Sequence, residues 1–383
     1  MGGHGAWPYD EKPLLVFWET TKACKLKCKH CRAEAILEPL PGELSTEEGM
    51  RLIDQVAGFG KPSPIMVFTG GDPLMRRDIF RLLGYALERG VTAAIAPAVS
   101  PLLTGEVLDR LAGMGVAVSL SLDSPYPGVH DSIRGVEGTW ERTVAAVERL
   151  VSRGARVQVN TVVMRETVDG LADMVKLLKD LGVKVWEVFY YVPTGRGAEE
   201  SDLSPGEWED VTHFLYEASR HLIVRTTEGP FFRRVAVARR ALEERGLDPD
   251  EVLRPGPLYG RLVSRLRELL GRGGAAKAQS MGTRDGKGIV FVSYNGTVYP
   301  SGFLPYPVGN VREKSLQEIY RGAELLVKLR RGEFKGRCGA CEFRDICGGS
   351  RARAFAYTGD PLAEDPACAY RPGSYSWLEK NYY

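Results

Sequence analysis

Seven cysteines in two widely separated groups are the residues of this sequence best suited to carry chemistry. The first group has the spacing C-x3-C-x2-C and follows a short apolar segment, and the second has the spacing C-x2-C-x5-C-x20-C. Because seven is an odd number, the cysteines cannot all pair as disulfides, and clustered thiolates are soft ligands for zinc or iron–sulfur clusters. The seven are Cys24, Cys28, Cys31, Cys338, Cys341, Cys347 and Cys368.

The first group lacks a fourth thiolate. A structural zinc site uses four protein ligands, and His30 is the nearest further candidate, but its position beside Cys31 strains simultaneous binding. Three thiolates on a four-iron cluster instead leave one iron open, where a substrate or cofactor can bind. We therefore expect a [4Fe–4S] cluster here, with a zinc knuckle or buried thiols as the alternatives.

The second group supplies four thiolates, enough to close a [4Fe–4S] cluster without a vacant position or to bind zinc. The spacing by itself does not separate these two possibilities. The companion group favours an iron–sulfur cluster, with zinc as the alternative.

Segments typical of strands and helices alternate over roughly the first 210 residues after the N-terminus. Several of the predicted strands are continuous apolar runs, which are typical of a parallel sheet covered by helices. Six or seven such units predict an α/β fold, a partial TIM-like (β/α)6 barrel, whose ligands lie at the carboxyl ends of the strands. The predicted strands are residues 14–18, 65–68, 91–96, 116–122, 155–163, 183–191 and 222–226.

Helices are predicted between these strands, the first from the capping box at Ser45–Glu48 to about Gly58. The arginine-rich stretch 231–288 has two predicted helices, near 235–245 and 258–270. We interpret it as a solvated connector, with a lid or an anion-binding wall over the site as the alternative. Beyond residue 289, short strands are predicted around a hairpin turn at Asn295-Gly296.

Polar residues follow several of the predicted strands, where barrel ligands are expected. Each could instead cap a strand or satisfy a loop. They are Gly70, Gly71 and Asp72 after the second strand, Ser121 and Asp123 at the fourth, Arg134 beyond it, and Asn160 in the fifth.

Together with the first cysteine motif, these residues resemble the radical S-adenosylmethionine (SAM) enzymes over about residues 14–226. The resemblance implies that the open iron binds SAM, which is cleaved to methionine and a 5′-deoxyadenosyl radical. It also implies that the Gly70–Asp72 motif takes the methionyl ammonium, that Ser121 and Asp123 face SAM, and that Asn160 holds the ribose. Arg134 would pair with the SAM carboxylate, because a guanidinium fits a carboxylate bidentately.

The second cysteine group resembles the SPASM or Twitch extension of radical SAM enzymes, a small C-terminal iron–sulfur domain. Ser301 stands where a further cysteine is common, so one auxiliary [4Fe–4S] cluster is expected. The segments 338–360 and 192–197 resemble the branch that acts in heme biosynthesis. One departure is that residues 229–233 lack the histidine common in that branch.

The resemblance predicts a radical SAM oxidoreductase or lyase that oxidatively modifies a substrate. The candidate substrate is a modified tetrapyrrole, whose propionates the arginines after Phe232 would bind and which would undergo decarboxylation or side-chain loss. An external donor such as ferredoxin or flavodoxin would supply the electron. The alternatives are radical maturation or cross-linking of a peptide and a non-catalytic electron carrier. With thirteen residues before Leu14, we expect any leader-binding domain to come from a separate partner.

The remaining expectations concern the whole chain. Its 51 basic and 49 acidic residues argue against a general nucleic-acid binder, and no apolar run approaches the ~18 residues of a membrane span. A cytoplasmic location is expected.

The predicted parts are an N-terminal extension (1–13), the barrel (14–228), a helical linker or lid (229–288) and the auxiliary-cluster domain (289–383). Tyr190, Tyr191 and Glu228 are further candidates for lining the site, or for ordinary packing.

Overall fold

A computed structural model describes residues 7–197, 201–279 and 282–378, so part of the predicted N-terminal extension lies outside the described residues. Its strands are short and lie close to the predicted segments. In chain order they are β1 Leu15–Glu19, β2 Ile65–Thr69, β3 Ala93–Ile95, β4 Ala117–Ser121, β5 Val157–Val163, β6 Val185–Tyr190, β7 Ile223–Thr227, β8 Arg284–Asp285, β9 Gly288–Val292, β10 Thr297–Tyr299 and β11 Gly309–Asn310.

The helices alternate with the first seven strands and then form the C-terminal part. The capping box predicted at Ser45 is present, and equivalent boxes at Ser204 and Ser315 begin two further helices. The helices are α1 Thr46–Ala57, α2 Ile79–Glu88, α3 Gly105–Gly113, α4 Pro127–Arg134, α5 Thr139–Ser152, α6 Leu171–Asp180, α7 Pro205–Ala218, α8 Phe231–Glu244, α9 Pro249–Leu253, α10 Pro257–Leu270, α11 Leu316–Gly322, α12 Glu324–Arg331, α13 Gly336–Ala340 and α14 Arg351–Thr358.

Strands β1 to β7 pair in sequential order, and every one of these pairs is parallel. This confirms the predicted α/β barrel-like sheet, with seven strands. β9 then pairs with the free edge of β1, also in parallel, with Val16 opposite Val290. The sheet therefore continues across the predicted boundary at residue 289, and the domain limits stay a prediction. β9 and β10 form the expected hairpin around Asn295 and Gly296.

The strands bury one face completely and the other only in part. In β4 and β5, Val118, Leu120 and Val159 are fully buried, whereas Ser121 and Asn160 on the opposite face are half-buried. Successive side chains of a strand point to opposite faces, so one face packs under the helices and the other faces the barrel interior. The polar inner face leaves space for a ligand.

Helix α8 is not the solvated connector that its arginines suggested. Arg233, Arg234 and Arg239 are all buried, and the helix packs against α7. The correction has a physical cause: Arg233 donates to backbone carbonyls and the other two arginines pair with carboxylates, so their hydrogen-bond donors are satisfied without solvent. The sequence shows the arginines but not the partners that bury them.

No helix among the described residues is long and apolar enough to cross a membrane.

Candidate functional site

Cys24, Cys28 and Cys31 lie on the loop after β1 and line one cavity at the carboxyl ends of the strands. The cavity encloses about 1100 Å³, including space open to solvent. Burial raises the pKa of Cys24 to about 12, so this thiol stays protonated unless a metal displaces its proton. The first cysteine group is thus brought together as predicted.

The segment Gly70–Asp72 holds the cysteine loop in place. The amide of Gly71 donates to the Thr21 carbonyl at 2.8 Å, and that of Asp72 donates to the Ala23 carbonyl at 2.7 Å. A Cβ atom on Gly70 would lie 2.3 Å from the Thr21 carbonyl oxygen, and Gly70 has a φ of 138°. Glycine is therefore required at position 70 because two backbone segments meet there. A ligand that approaches the same loop would be a second reason for a glycine.

The end of β6 also holds the cysteine loop in place. The Arg196 guanidinium donates to the carbonyls of Cys28 at 3.1 Å and Ala35 at 2.8 Å. A Cβ atom on Gly195 would lie 2.4 Å from the Cys31 carbonyl oxygen. In the sequence, the dipeptide Gly195-Arg196 shortly after a predicted strand was the feature that could have indicated this contact.

Ser121 and Asn160 face each other across β4 and β5, and both line the cavity together with Gly70 and Gly71. Asn160 accepts a hydrogen bond from the Gln158 amide at 2.9 Å through Oδ1. Among the described residues its Nδ2 has no partner, which leaves a donor for a ligand. With Arg134, which also lines the cavity, five of the seven predicted SAM contacts share one cavity with the cysteines.

Asp72 and Asp123, also predicted SAM contacts, are buried and are not among the residues that line the cavity. Asp72 accepts hydrogen bonds from the Leu74 amide at 3.1 Å and the Ser100 hydroxyl at 2.7 Å. Its carboxylate thereby ties the end of β2 to the loop after β3. In this arrangement Asp72 positions the neighbouring glycines.

Asp123 holds Arg134 instead of facing the cavity. The Arg134 Nη2 lies 2.7 Å from Asp123 Oδ2, and Arg134 Nη1 lies 3.8 Å from the Cys28 sulfur. Burial would raise the pKa of Asp123, but the Arg134 guanidinium, together with the neighbouring histidines and a hydrogen bond from the Val162 amide, holds that pKa below its usual range. A fixed positive charge thus lies beside the Cys28 sulfur and lines the cavity.

His30 lines the cavity as a neutral ring. Burial lowers its pKa to about 4, and its buried Nδ1 has no hydrogen-bond partner among the described residues. Buried polar atoms rarely stay unpaired. An orphaned nitrogen, an open donor on Asn160 and three thiols in one cavity fit a ligand-bearing iron–sulfur cluster together with SAM.

The second cysteine group also converges. Cys338, Cys341, Cys347 and Cys368 line a separate cavity of about 400 Å³. A Cβ atom on Gly349 would lie 3.0 Å from the Cys338 sulfur, so a glycine is needed beside the thiols. Among the described residues no three His, Cys, Asp or Glu side chains are arranged to hold a single metal ion. Four thiols around one cavity are enough to close the auxiliary four-iron cluster that the sequence predicts.

Two buried arginines flank these four thiols. Arg234 lines the cavity and pairs with Glu209 through two contacts of 2.8 and 2.5 Å. Arg351 Nη2 lies 3.6 Å from the Cys338 sulfur. These positive charges offset the negative charge that thiolates bring into a buried site.

The three remaining candidates have different roles. Tyr190 stacks on Trp208, with ring centroids 4.6 Å apart, and is part of the core. Both Tyr190 and Tyr191 are among the residues that line the cavity. Glu228 is buried between the barrel and α14, where it accepts a hydrogen bond from the Ser350 hydroxyl at 2.5 Å. Burial, reinforced by the nearby Asp285 carboxylate, raises the pKa of Glu228. Ser301 lies 3.5 Å from the same carboxylate and does not line the four-thiol cavity.

Comparison with known proteins gives consistent results. The Radical SAM superfamily model matches residues 18–192, and the SPASM model, an iron–sulfur cluster-binding domain, matches residues 284–342. The AdoMet-dependent heme synthase of Nitratidesulfovibrio vulgaris is 37% identical over 94% of this chain and 92% of its own. That of Methanosarcina barkeri is 36% identical over 94% and 97%. A crystal structure of Streptococcus suis SuiB bound to precursor peptide SuiA, 17% identical, matches with a TM-score of 0.67 over 94% of this chain and 76% of that one.

Proposed function

The chain belongs to the radical SAM enzymes, in the branch that contains the AdoMet-dependent heme synthases, and from that premise we propose that it oxidatively decarboxylates propionate side chains of an iron porphyrin. The observation that carries the proposal is the likeness to the heme synthases, which spans 94% of the chain. The geometry adds support. The cavity is lined by three arginines, Arg32, Arg134 and Arg196, and no Asp or Glu is among its described lining residues.

The enzyme cleaves SAM reductively and oxidises its substrate. When bound, the cluster and SAM supply the radical that removes a hydrogen atom, and the auxiliary cluster supplies a one-electron acceptor. In a propionate, hydrogen leaves the carbon attached to the ring and the bond to the carboxyl carbon then breaks. Each side chain becomes a vinyl group, with release of CO2 and one electron. The protein positions the propionate in the arginine-lined cavity.

An anaerobic assay tests this proposal. Reconstituted enzyme, SAM and a reductant are incubated with Fe-coproporphyrin III, with metal-free coproporphyrin III or with candidate peptides. We expect 5′-deoxyadenosine and stepwise loss of carboxyl groups, measured by mass spectrometry, with the iron porphyrin. Product from a peptide and none from either porphyrin would refute the proposal in favour of peptide maturation.

Metal-free coproporphyrin III is included because residues 229–233 lack a histidine that could bind the iron of the substrate. In the structure Phe231 and Phe232 of this segment are buried, and neither is among the residues that line the cavity. We therefore expect recognition of the porphyrin to depend on its carboxylates more than on a side chain from this segment.

We further propose that the electron donor is an acidic carrier of the ferredoxin or flavodoxin class and that the location is cytoplasmic. Lys25, Lys27 and Lys29 are exposed on the loop that carries the first cysteine group, where they alternate with buried Leu26 and Cys28. Opposite charges accelerate association, and salt screens them. The three lysines provide positive charge on the loop that would hold the candidate cluster.

The initial rate of cluster reduction by reduced flavodoxin tests the donor proposal. Replacing Lys25, Lys27 and Lys29 together by Gln should lower that rate and flatten its dependence on salt. The matched control replaces Lys61, Lys179 and Lys184, which are exposed near the amino ends of the strands. Equal rates in the two triple variants would contradict the proposal.

A further inference from the structure

We propose that Arg32 binds a carboxylate of the substrate at the open side of the barrel. This inference rests on the proposed function and identifies the residue that recognises its substrate. The arginines of α8, which the sequence suggested for this task, are occupied elsewhere: Arg233 donates to the Ile346 carbonyl at 2.9 Å, and Arg234 pairs with Glu209. A carboxylate must therefore find its partner among the arginines of the cavity.

Of the three cavity arginines, Arg32 has the least satisfied guanidinium. Arg134 is paired with Asp123 at 2.7 Å, and Arg196 donates to two backbone carbonyls. Arg32 makes only long contacts through Nη1, at 3.4 Å to Glu19 and 3.5 Å to the Gly302 carbonyl. Contacts of this length are weak hydrogen bonds. Its Nε and Nη2 have no hydrogen-bond partner within the described part of the chain, so two donors are free for a ligand.

The Arg32 side chain is nevertheless held in place. Its Cζ lies 4.6 Å from the ring centroid of Phe291 and 5.9 Å from that of Phe303, within the range of cation–π contacts. Behind it, buried Glu19 is fixed by a hydrogen bond of 2.8 Å from the Ser293 hydroxyl. The guanidinium is thus oriented before a ligand arrives, which lowers the entropic cost of binding.

The surroundings indicate what kind of molecule carries the carboxylate. Phe303 contacts Arg32 and also Phe189 of β6, whose ring centroid lies 6.0 Å away. β6 and β9 lie near opposite ends of the partial barrel, so Phe303 spans its open side. Phe189, Phe303 and Val192 give the cavity an apolar wall next to a cation. A flat aromatic ring system with a carboxylate on a short flexible arm matches this combination.

The experiment compares binding of Fe-coproporphyrin III and of its tetramethyl ester to the anaerobically reconstituted full-length enzyme, followed by the Soret absorption. The wild type should bind the acid more tightly than the ester. Arg32→Gln should weaken binding of the acid about tenfold to a hundredfold, the range expected for one lost charge-assisted hydrogen bond. Its preference for the acid over the ester should also be smaller than that of the wild type, by a similar factor. Arg32→Lys, which keeps the charge but loses the planar fork, should lie between.

Two controls separate recognition from damage. Arg261→Gln removes a charge from α10, where the side chain is 65% exposed, and should bind like the wild type. Since Arg32→Gln leaves buried Glu19 without its cation, the double variant Glu19→Gln with Arg32→Gln is tested as well and should behave as Arg32→Gln does. Iron content and SAM affinity should be unchanged in both.

Each outcome has a distinct meaning. If Arg32→Gln keeps the wild-type preference for the acid, the assignment of Arg32 is wrong while the proposed function stands. If Arg32→Gln loses SAM affinity and keeps that preference, Arg32 serves the SAM carboxylate, and the inference is also wrong. If the wild type binds neither acid nor ester, the proposed function fails and the inference fails with it.

Discussion

Asn160 is the residue at which a SAM contact can be tested with least disturbance, because its amide lines the cavity and is bonded only to Gln158 among the described residues. We expect Asn160→Ala to weaken SAM binding by about 1–3 kcal/mol, the cost of a lost polar contact. Iron content should stay normal, since Asn160 is not a thiolate ligand. Isothermal titration under anaerobic conditions measures the affinity. Gln158→Ala is the control, and an effect equal to that of Asn160→Ala would argue that only the strand's structure had been disturbed.

Glu187 on β6 makes the stability of the protein depend on pH. Burial raises its pKa from 4.5 to about 7, although Thr227 donates a hydrogen bond to the carboxylate at 2.8 Å. The folded state thus holds a proton that the unfolded state releases between about pH 4.5 and 7, so the free energy of unfolding should fall as pH rises through this window.

Glu187→Gln should remove that fall. We expect the variant to be more stable than the wild type at pH 8, by on the order of 1–3 kcal/mol, since one pKa unit corresponds to about 1.4 kcal/mol. At pH 4.5 the two should be similar. Thermal unfolding at both pH values measures the difference. A variant that loses as much stability with pH as the wild type would exclude Glu187 as the cause.

At the scale of elements, helix α8 joins the barrel to the auxiliary site through a buried ion pair. Arg234 contacts Glu209 of α7 on one side and stacks over Tyr370, at 4.6 Å, beside the four thiols. Removing one partner of a buried pair leaves the other charge uncompensated, which costs about 3–5 kcal/mol. Arg234→Met should therefore lower the denaturation midpoint markedly.

Arg261→Met is the matched control for this experiment. Its contact with Asp169 is long, at 3.5 Å, and both side chains are largely exposed. Exposed pairs contribute little, so this variant should stay within about 0.5 kcal/mol of the wild type. Equal losses in the two variants would mean that the pair on α8 is no more important than a surface contact.

The sequence could predict elements whose signal is local. The apolar runs located the strands within a few residues, and the Ser45 capping box located the start of α1. Burial of the α8 arginines could not be predicted, because their partners Glu209 and Ile346 are distant in sequence and carry no local pattern. The same applies to Asp72, whose partner Ser100 lies beyond the next strand. Residue types at strand ends show that a site exists, and tertiary contacts decide which of them face it.

At the scale of the whole molecule, the two cysteine groups form separate cavities with different numbers of thiols. We expect about eight irons per chain after anaerobic reconstitution, from two four-iron clusters. Cys28→Ala should leave about four and abolish SAM cleavage. Cys347→Ala should also leave about four, spare SAM cleavage and abolish product. Iron analysis and the 5′-deoxyadenosine assay measure these outcomes.

Loss of a ligand can unfold a small metal-held domain, so circular dichroism and SAM binding are checked on the same preparations. Stoichiometric zinc at the second group would contradict the two-cluster expectation. A folded Cys347→Ala variant that turned over substrate at the wild-type rate would limit the auxiliary cluster to a structural role.

The pairing of β9 with β1 has a consequence for how the protein is made. The strand that covers the second edge of β1 is synthesised about 270 residues after β1 itself. At the usual ~5–20 residues per second, that edge waits roughly 15–55 s for its partner. An uncovered strand edge pairs readily with other chains. Phe291 and Phe303, which contact Arg32, are also synthesised only with or after β9. The nascent chain therefore has an aggregation-prone edge beside its first cysteine group, and cluster insertion before β9 is synthesised would meet a barrel that still lacks one wall.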